Sequence, residues 1–156
     1  MQDKIIFQLI SYEKNQKRLK DIPYIKYLDF AIIFEVYVGA QLPEFGTITV
    51  TDALLSRWGI DTETLIRASM QNTPKILPCS IINMAEFLAK KCPGYATQMR
   101  SVCDFDSLPM YILTNSRQTN GASAILYPGV LSSLAKKLGG NMLLIPSSIH
   151  EFLVMP

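Results

Sequence analysis

The chain has 156 residues, of which 49% are hydrophobic and 18% are charged. This composition supplies enough apolar surface for one core and excludes an intrinsically disordered chain, because disordered chains are poor in apolar residues. The formal net charge of +2 falls short of the basic excess of a dedicated nucleic-acid-binding domain. We therefore expect one folded domain over residues 1–156.

Apolar patterning and cysteine spacing predict a cytoplasmic protein without a membrane anchor. The longest apolar stretch, 30–40, contains Glu35 and is too short for the ~20 residues of a membrane-spanning helix. The beginning of the chain lacks the apolar core and cleavage site of a secretory signal. Three cysteines at wide, unequal spacings match neither a zinc pair nor a disulfide framework, which indicates free thiols: Cys79, Cys92 and Cys103.

The first half of the chain predicts strands followed by helices. Its elements, in chain order, are a strand or helix start at 4–10, a helix at 12–21, a central strand at 29–38, a hairpin strand at 47–50, a helix at 51–58 and a second helix capped by Asp61. Residues 72–78 contain two prolines and predict a linker. The inner stripe of the second helix is expected at Leu65, Ile66, Ser69 and Met70.

The second half of the chain predicts helices alternating with hairpins. Its elements are a helix at 80–91, a long loop at 92–108, a hairpin with strands at 109–114 and 122–126, a helix that opens at Pro128 and ends before Gly139, and strands at 142–145 and 152–155. Hairpins outnumber crossovers in this order. The sequence thus predicts an α+β fold with an antiparallel or mixed β-sheet covered by helices.

Only one short segment, Pro-Ser-Ser-Ile-His-Glu, holds several reactive side chains close together. His150 is the one histidine, Glu151 follows it, and Ser148 precedes it by two positions. A Ser-His-acid triad needs these side chain types in one line of hydrogen bonds, although triads usually assemble from separate segments. The alternative is a turn in which the hydroxyls and the imidazole satisfy backbone groups. The candidate catalytic residues are His150, Ser148 and Glu151.

Other chemistries find less support in the sequence. A cysteine could approach His150 as a nucleophile, but no known nucleophile signature surrounds any of the three. One histidine and scattered cysteines do not supply a zinc set, and Asp104 and Asp106 lack the remainder of a calcium loop. No phosphate-binding or dinucleotide-binding fingerprint occurs. We expect no metal and no cofactor.

A basic cluster near the N-terminus could contact nucleic acid through phosphates and stacking. Its members, interleaved with tyrosines, are Lys14, Lys17, Arg18, Lys20 and Lys26. Glu13 and Asp21 dilute the positive charge, so a solvated helix face is the simpler interpretation. Nucleic acid is therefore the least favoured partner.

Five stretches carry a resemblance to a known family: KIIFQLISYEKNQKRLKDIPY at 4–24, RWGIDTETL at 57–65, MYILTN at 110–115, GASAILY at 121–127 and LGGNMLLIPSSIHEFLVMP at 138–156. Together they resemble an uncharacterised domain-of-unknown-function family common in gut anaerobic bacteria. That family implies no activity, substrate or catalytic residue. Its members are usually longer, so we expect that the chain is a fragment of a longer protein.

Two functions follow as hypotheses. The first is a non-catalytic interaction or regulatory module that binds a protein partner, because every reactive side chain has a structural explanation. The alternative is a hydrolase-like enzyme with His150 as base, a Ser or Cys nucleophile, and Glu151 or Asn115 orienting the ring. The sequence leaves the oligomeric state open.

Overall fold

A computed structural model describes residues 2–39, 46–91, 94 and 109–156. Two antiparallel four-stranded sheets with accompanying helices confirm the predicted α+β class, although the sequence predicted one sheet. The chain divides into two compact units, residues 1–78 and 79–156, called here the first and second units. The single domain over 1–156 stays a prediction. Among the described helices, none has the length and apolar character that crossing a membrane requires.

The first unit contains one sheet and two helices. Its elements are β1 Ile5–Ser11, β2 Tyr24–Tyr27, β3 Phe30–Gly39, β4 Gly46–Thr49, α1 Asp52–Trp58 and α2 Thr62–Ile76, with 3-10 turns at Gln2–Lys4, Glu13–Asn15 and Arg18–Asp21. β3 pairs with β1 on one side and with both β2 and β4 on the other. The predictions of a central strand and its hairpin partner are therefore confirmed.

The predicted helix at 12–21 is wrong, because two short 3-10 turns occupy this region. Local side chains compete for the backbone groups that a helix would use. Asn15 Nδ2 donates to the carbonyl oxygen of Ser11 at 2.8 Å, and the Ser11 hydroxyl accepts from the N–H of Lys14 at 3.4 Å. These bonds fold the chain back at the end of β1, so a continuous helix does not begin there.

Helices α1 and α2 begin where the sequence predicted. The Thr51 hydroxyl accepts from Leu54 N–H, and the Asp61 carboxylate accepts from Thr64 N–H at 2.8 Å. Gly59 ends α1 in the left-handed conformation, φ 64°, which glycine adopts without a Cβ clash. Leu65 and Ser69 of the predicted stripe are buried, while Ile66 and Met70 are half-buried.

The predicted linker at 72–78 is wrong, because α2 continues to Ile76 with Pro74 inside it. An interior proline loses its own N–H bond and crowds the carbonyl group four residues earlier, but side chains next to Pro74 fasten the last turn to β1. The Thr73 hydroxyl donates to the Ser69 carbonyl oxygen at 2.6 Å and accepts from Phe7 N–H at 2.9 Å. Asn72 Nδ2 donates to the carbonyl oxygen of Ile5 at 3.1 Å. Tertiary contacts thus outweigh the local breaker.

The second unit contains the other sheet and two further helices. Its elements are β5 Cys79–Asn83, α3 Met84–Lys91, β6 Tyr111–Asn115, a 3-10 segment Gly121–Leu126, α4 Val130–Leu138, β7 Leu143–Pro146 and β8 Phe152–Met155. The strands follow the order β5-β6-β8-β7 and pair antiparallel throughout. The final two strands confirm the sequence prediction, and the predicted loop at 92–108 lies outside the described residues apart from 94.

Two predicted elements of this unit are wrong. Residues 80–83 belong to β5 rather than to a helix, because they pair with β6, and α3 begins only after Asn83. The predicted strand at 122–126 is the 3-10 segment. The start of α4 also differs: Gly129, φ 78°, is the N-cap and Val130 the first helical residue, so Pro128 lies before the helix.

Candidate functional site

One face of the second sheet carries a row of aliphatic side chains. Ile82 of β5 lies opposite Ile112 of β6, which lies opposite Leu153 of β8. Residues directly opposite in antiparallel strands share a face, so the three side chains form a continuous apolar floor. Ile112 is buried, whereas Ile82 and Leu153 are only half-buried. The floor is therefore partly open among the described residues.

Helix α3 forms a wall beside this floor. Asn83 Oδ1 accepts from the N–H groups of Ala85 and Glu86, at 2.9 and 3.2 Å, and so caps the helix as it leaves β5. Met84 N–H donates to the carbonyl oxygen of Met110 at 2.9 Å. These bonds fix the start of α3, so that Met84 and Phe87 both face the floor.

The floor and wall enclose a cleft of about 280 Å³, called here the sheet cleft. Its lining residues are Ile82, Met84, Phe87, Ile112, Thr114, Gln118, Ser147, Glu151 and Leu153. The apolar members form the bottom and one side, and the polar members form the remainder. An apolar cleft with a few polar groups is the usual form of a binding site for a small ligand or a side chain.

Two residues of the Pro-Ser-Ser-Ile-His-Glu segment, Ser147 and Glu151, belong to the polar lining of the cleft. The hydroxyls of Ser147 and Ser148 both donate to Glu151 Oε1, at 3.1 and 3.0 Å. The N–H groups of both serines donate to the carbonyl oxygen of Glu151 at 3.3 Å. Glu151 Oε2 accepts no hydrogen bond from any described residue. One carboxylate oxygen at the cleft therefore remains open to a ligand.

His150 is held by the neighbouring turn. Its Nδ1 accepts from the N–H of Asn120 at 3.0 Å, and its carbonyl oxygen accepts from the Thr114 hydroxyl at 2.7 Å. Its own N–H donates to the Ser148 hydroxyl at 3.0 Å. Because Nδ1 accepts, the neutral ring carries its proton on Nε2. In that tautomer Nε2 is a hydrogen-bond donor and not a basic nitrogen.

Gly121, at the end of the 115–121 turn beside His150, leaves no room for a side chain. A Cβ on Gly121 would overlap the Thr114 hydroxyl, Asn115 N and the carbonyl oxygen of His150. The buried Asn115 side chain closes the same turn, with Nδ2 donating to the Thr119 carbonyl oxygen at 2.7 Å. The backbone at the start of the 3-10 segment therefore packs directly against β6 and the carbonyl oxygen of His150.

The hydrolase alternative receives no support from this arrangement. Ser148 and Glu151 bond each other, Asn115 closes its own turn, and the imidazole accepts from a backbone amide. Burial raises the pKa of the Cys79 thiol, which disfavours the thiolate that a nucleophile needs. Cys92 and Cys103 lie outside the described residues. A catalytic role for His150, Ser148 and Glu151 stays a prediction without a geometric counterpart.

The basic cluster lies on the first unit. Arg18 contacts Glu35 at 3.6 Å and donates to the Thr49 hydroxyl at 2.7 Å, so its charge serves the unit itself. Lys26 Nζ lies 4.5 Å from the centroid of the Tyr12 ring. The lysines of the basic cluster form no salt bridge with any described residue.

The sequence missed the sheet cleft because residues 80–83 fit helical spacing, which hid the alignment of Ile82 with Ile112 and Leu153. Four residues are too few for period-two alternation to distinguish a strand from a helix.

In the described ranges, no three His, Cys, Asp or Glu side chains converge on a metal-sized site.

The model of a family of unknown function (DUF5688) matches residues 1–156. This match agrees with the resemblance to an uncharacterised family that the sequence indicated. Among curated proteins and among solved structures, the chain has no match.

Proposed function

Since the chain belongs to the DUF5688 family, whose function is unknown, we propose a function from the geometry of its own side chains. The chain is a non-catalytic interaction module. Its sheet cleft binds an apolar side chain of a protein partner, and Glu151 binds a basic group beside it. The partner segment thus carries an aliphatic or aromatic residue next to a lysine or arginine.

The observation that carries this proposal is the partly open row of Ile82, Ile112 and Leu153. Water against such a row is unfavourable, and burying one partner side chain there contributes roughly 1.5–3 kcal/mol. The wall of Met84 and Phe87 suits a variable occupant, because methionine adapts its shape and an aromatic ring offers a broad face. A cleft of about 280 Å³ accommodates one side chain rather than a large cofactor.

The carboxylate at the cleft supports the basic group in the partner. Two hydroxyls hold Oε1 of Glu151 in place, and Oε2 accepts no hydrogen bond from a described residue. A pre-oriented carboxylate loses little freedom on binding, and it pairs with guanidinium or ammonium groups by charge-assisted hydrogen bonds. Charge complementarity therefore favours a basic partner over an acidic one.

Binding rather than reaction is supported by how the polar groups are used. The serine hydroxyls orient Glu151, and the His150 ring holds the 115–121 turn. Each group performs a structural task that a proton-transfer role would interrupt. We also propose that the protein acts in the cytoplasm, as the apolar patterning and cysteine spacing predict, and in a gut anaerobic bacterium, as the family resemblance implies.

Fluorescent peptides with one central Leu or Phe test the proposal. One set places arginine beside the apolar residue and the other places glutamate, and anisotropy measures binding to the full chain. We expect the arginine set to bind more tightly. Ile82→Glu should abolish binding, because the charge enters the cleft floor, whereas Ile81→Glu on the opposite face of β5 should not.

Glu151→Gln should remove the preference for arginine while apolar binding persists, and Glu86→Gln on the exposed side of α3 is the matched control. Equal effects of the two isoleucine variants would contradict the proposal. Cleavage of the peptides, lost on His150→Ala, would instead support the hydrolase alternative.

A further inference from the structure

The first unit contains a sheet edge that no described residue covers. β2 pairs with β3 along Tyr24–Tyr27, and in the described part of the chain no backbone group bonds its other side. Alternate N–H and C=O groups of an antiparallel strand point away from its partner, so β2 presents outward donors and acceptors. Such an edge is a template for an added strand.

The opposite edge of the same sheet, in contrast to β2, is covered by a helix. β1 is the outer strand there, and α2 covers it through Thr73 and Asn72, which bond Phe7 N–H and the Ile5 carbonyl oxygen. The fold thus closes one edge with specific side chains and leaves β2 uncovered. We take this difference as the first observation toward a docking role for β2.

The two faces of β2 differ in chemistry. Tyr24 and Lys26 share one face, while Ile25 and Tyr27 share the other. Tyr24 and Tyr27 expose 38% and 40% of their surface, and Leu28 at the hairpin tip exposes 73%. Leu28 also adopts a positive φ of 52°, which costs a non-glycine residue roughly 1–2 kcal/mol. This φ is the usual geometry of a two-residue hairpin turn, and it leaves the Leu28 side chain exposed beside the end of β2.

Positive charge gathers on the Tyr24 side. A shallow depression of about 260 Å³ is lined by Tyr12, Gln16, Leu19, Lys20 and Tyr24. Lys26 Nζ lies over the Tyr12 ring, whose centroid is 6.0 Å from that of Tyr24. Lys20 and Lys26 form no salt bridge with any described residue. Two ammonium groups outside the described salt bridges therefore lie near the open edge.

From these observations we propose that β2 docks an extended acidic peptide as an added strand. The peptide alternates acidic and apolar residues, because a strand that continues the sheet puts alternate side chains on its two faces. Its acidic residues lie beside Lys20 and Lys26, and its apolar residues lie beside Ile25 and Tyr27. The backbone of β2 supplies the hydrogen bonds, and the lysines supply the charge selection.

A single-stranded nucleic acid fits the same surface less well. Its bases would need open aromatic faces, but Lys26 covers one face of Tyr12. An open strand edge, moreover, recognises a peptide backbone and not a phosphodiester chain. The observations therefore favour the peptide.

Anisotropy titrations with a labelled Val-Glu alternating peptide of about eight residues test the proposal on the full chain. We expect saturable binding that weakens with salt, and little binding of the Val-Lys peptide. Lys20→Glu/Lys26→Glu should weaken binding at least about tenfold, because like charges then face the peptide. Lys4→Glu/Lys75→Glu changes the net charge equally at two other exposed lysines and should leave binding unchanged.

Two N-methylated peptides identify the strand pairing. Each carries N-methyl groups on one alternate set of amides, and we expect only the set that faces β2 to abolish binding. Equal tolerance of both peptides, or absence of saturable binding, would overturn the proposal, as would tighter binding of oligo(dT) than of the acidic peptide. Ile82→Glu should not affect this binding, so failure here is distinct from failure of the sheet cleft.

Discussion

The Thr73 hydroxyl joins the end of α2 to the middle of β1, because it accepts the Phe7 N–H at 2.9 Å and donates to the Ser69 carbonyl oxygen at 2.6 Å. Thr73 is fully buried and Phe7 nearly so. The Thr73 hydroxyl thus accepts from a backbone N–H that points away from the sheet, where a neighbouring strand would otherwise supply the acceptor. It also supports the helix through the turn that contains Pro74.

Replacing Thr73 should therefore destabilise the first unit beyond the loss of one hydrogen bond. Thr73→Val preserves shape but removes the hydroxyl that accepts from the buried Phe7 N–H, at a cost of about 1–3 kcal/mol in the free energy of unfolding. Urea unfolding measures this change. Thr73→Ser retains the hydroxyl and serves as control, with a smaller loss. Equal stability of Thr73→Val and the parent chain would contradict the role assigned to this bond.

Gly121 should tolerate no side chain, although its backbone is not in the left-handed region. Gly121→Ala would push a methyl group into Thr114, Asn115 and the His150 carbonyl, and overpacking of this kind costs roughly 1–3 kcal/mol or more. Gly129→Ala is the matched control, since its Cβ meets open space and only its φ of 78° is unfavourable. Thermal unfolding should rank Gly121→Ala as the more destabilised, and the reverse order would argue against the close packing.

The sequence predicted elements whose signals are local. The Asp61 cap and the end of α1 before Gly59 depend on groups within one helical turn, and both predictions were confirmed. The predicted helix at 12–21 failed because of local side chain bonds to Ser11, whereas other predictions failed where distant contacts decide. Pro74 stays helical because Thr73 and Asn72 bind β1, and 80–83 forms a strand because β6 pairs with it. The sheet cleft was missed for the same reason, since its floor exists only once three separate strands align.

Asp61 should titrate below the ordinary aspartate range. The hydrogen bonds from Thr64 favour the carboxylate and lower its pKa. Since the pKa in the folded state is lower than in the unfolded state, the stabilisation is present above the unfolded pKa and is lost as pH falls through the folded pKa. NMR titration of the side chain carboxyl measures this shift directly.

Asp61→Asn provides the corresponding stability test. Asparagine still caps the helix but does not titrate, so the acid-induced loss of stability should be smaller than in the parent chain. In the NMR titration of the parent chain, a titration midpoint of Asp61 at or above that of free aspartate would refute the proposed effect of the cap.

The Cys79 thiol should react slowly with alkylating reagents. Burial raises its pKa, and the thiolate is the reactive species. In a Cys92→Ser/Cys103→Ser background, the rate of iodoacetamide alkylation should begin to rise at a higher pH than the alkylation rate of glutathione does. Faster reaction than glutathione at neutral pH would contradict the burial effect and reopen a nucleophilic role for this cysteine.

His150 decides between a structural and a catalytic use of the 147–151 segment. With Nδ1 accepting from Asn120 N–H, a long-range proton–nitrogen NMR spectrum of the neutral ring should show the hydrogen on Nε2. His150→Ala should then lower stability by about 1 kcal/mol, because the Asn120 donor loses its acceptor. The stability of Ser148→Ala is measured for comparison, because this change removes the hydroxyl that donates to Glu151 and accepts from the His150 N–H. A hydrogen on Nδ1 would mean that the ring does not hold the turn, and Nε2 would then be available as a base.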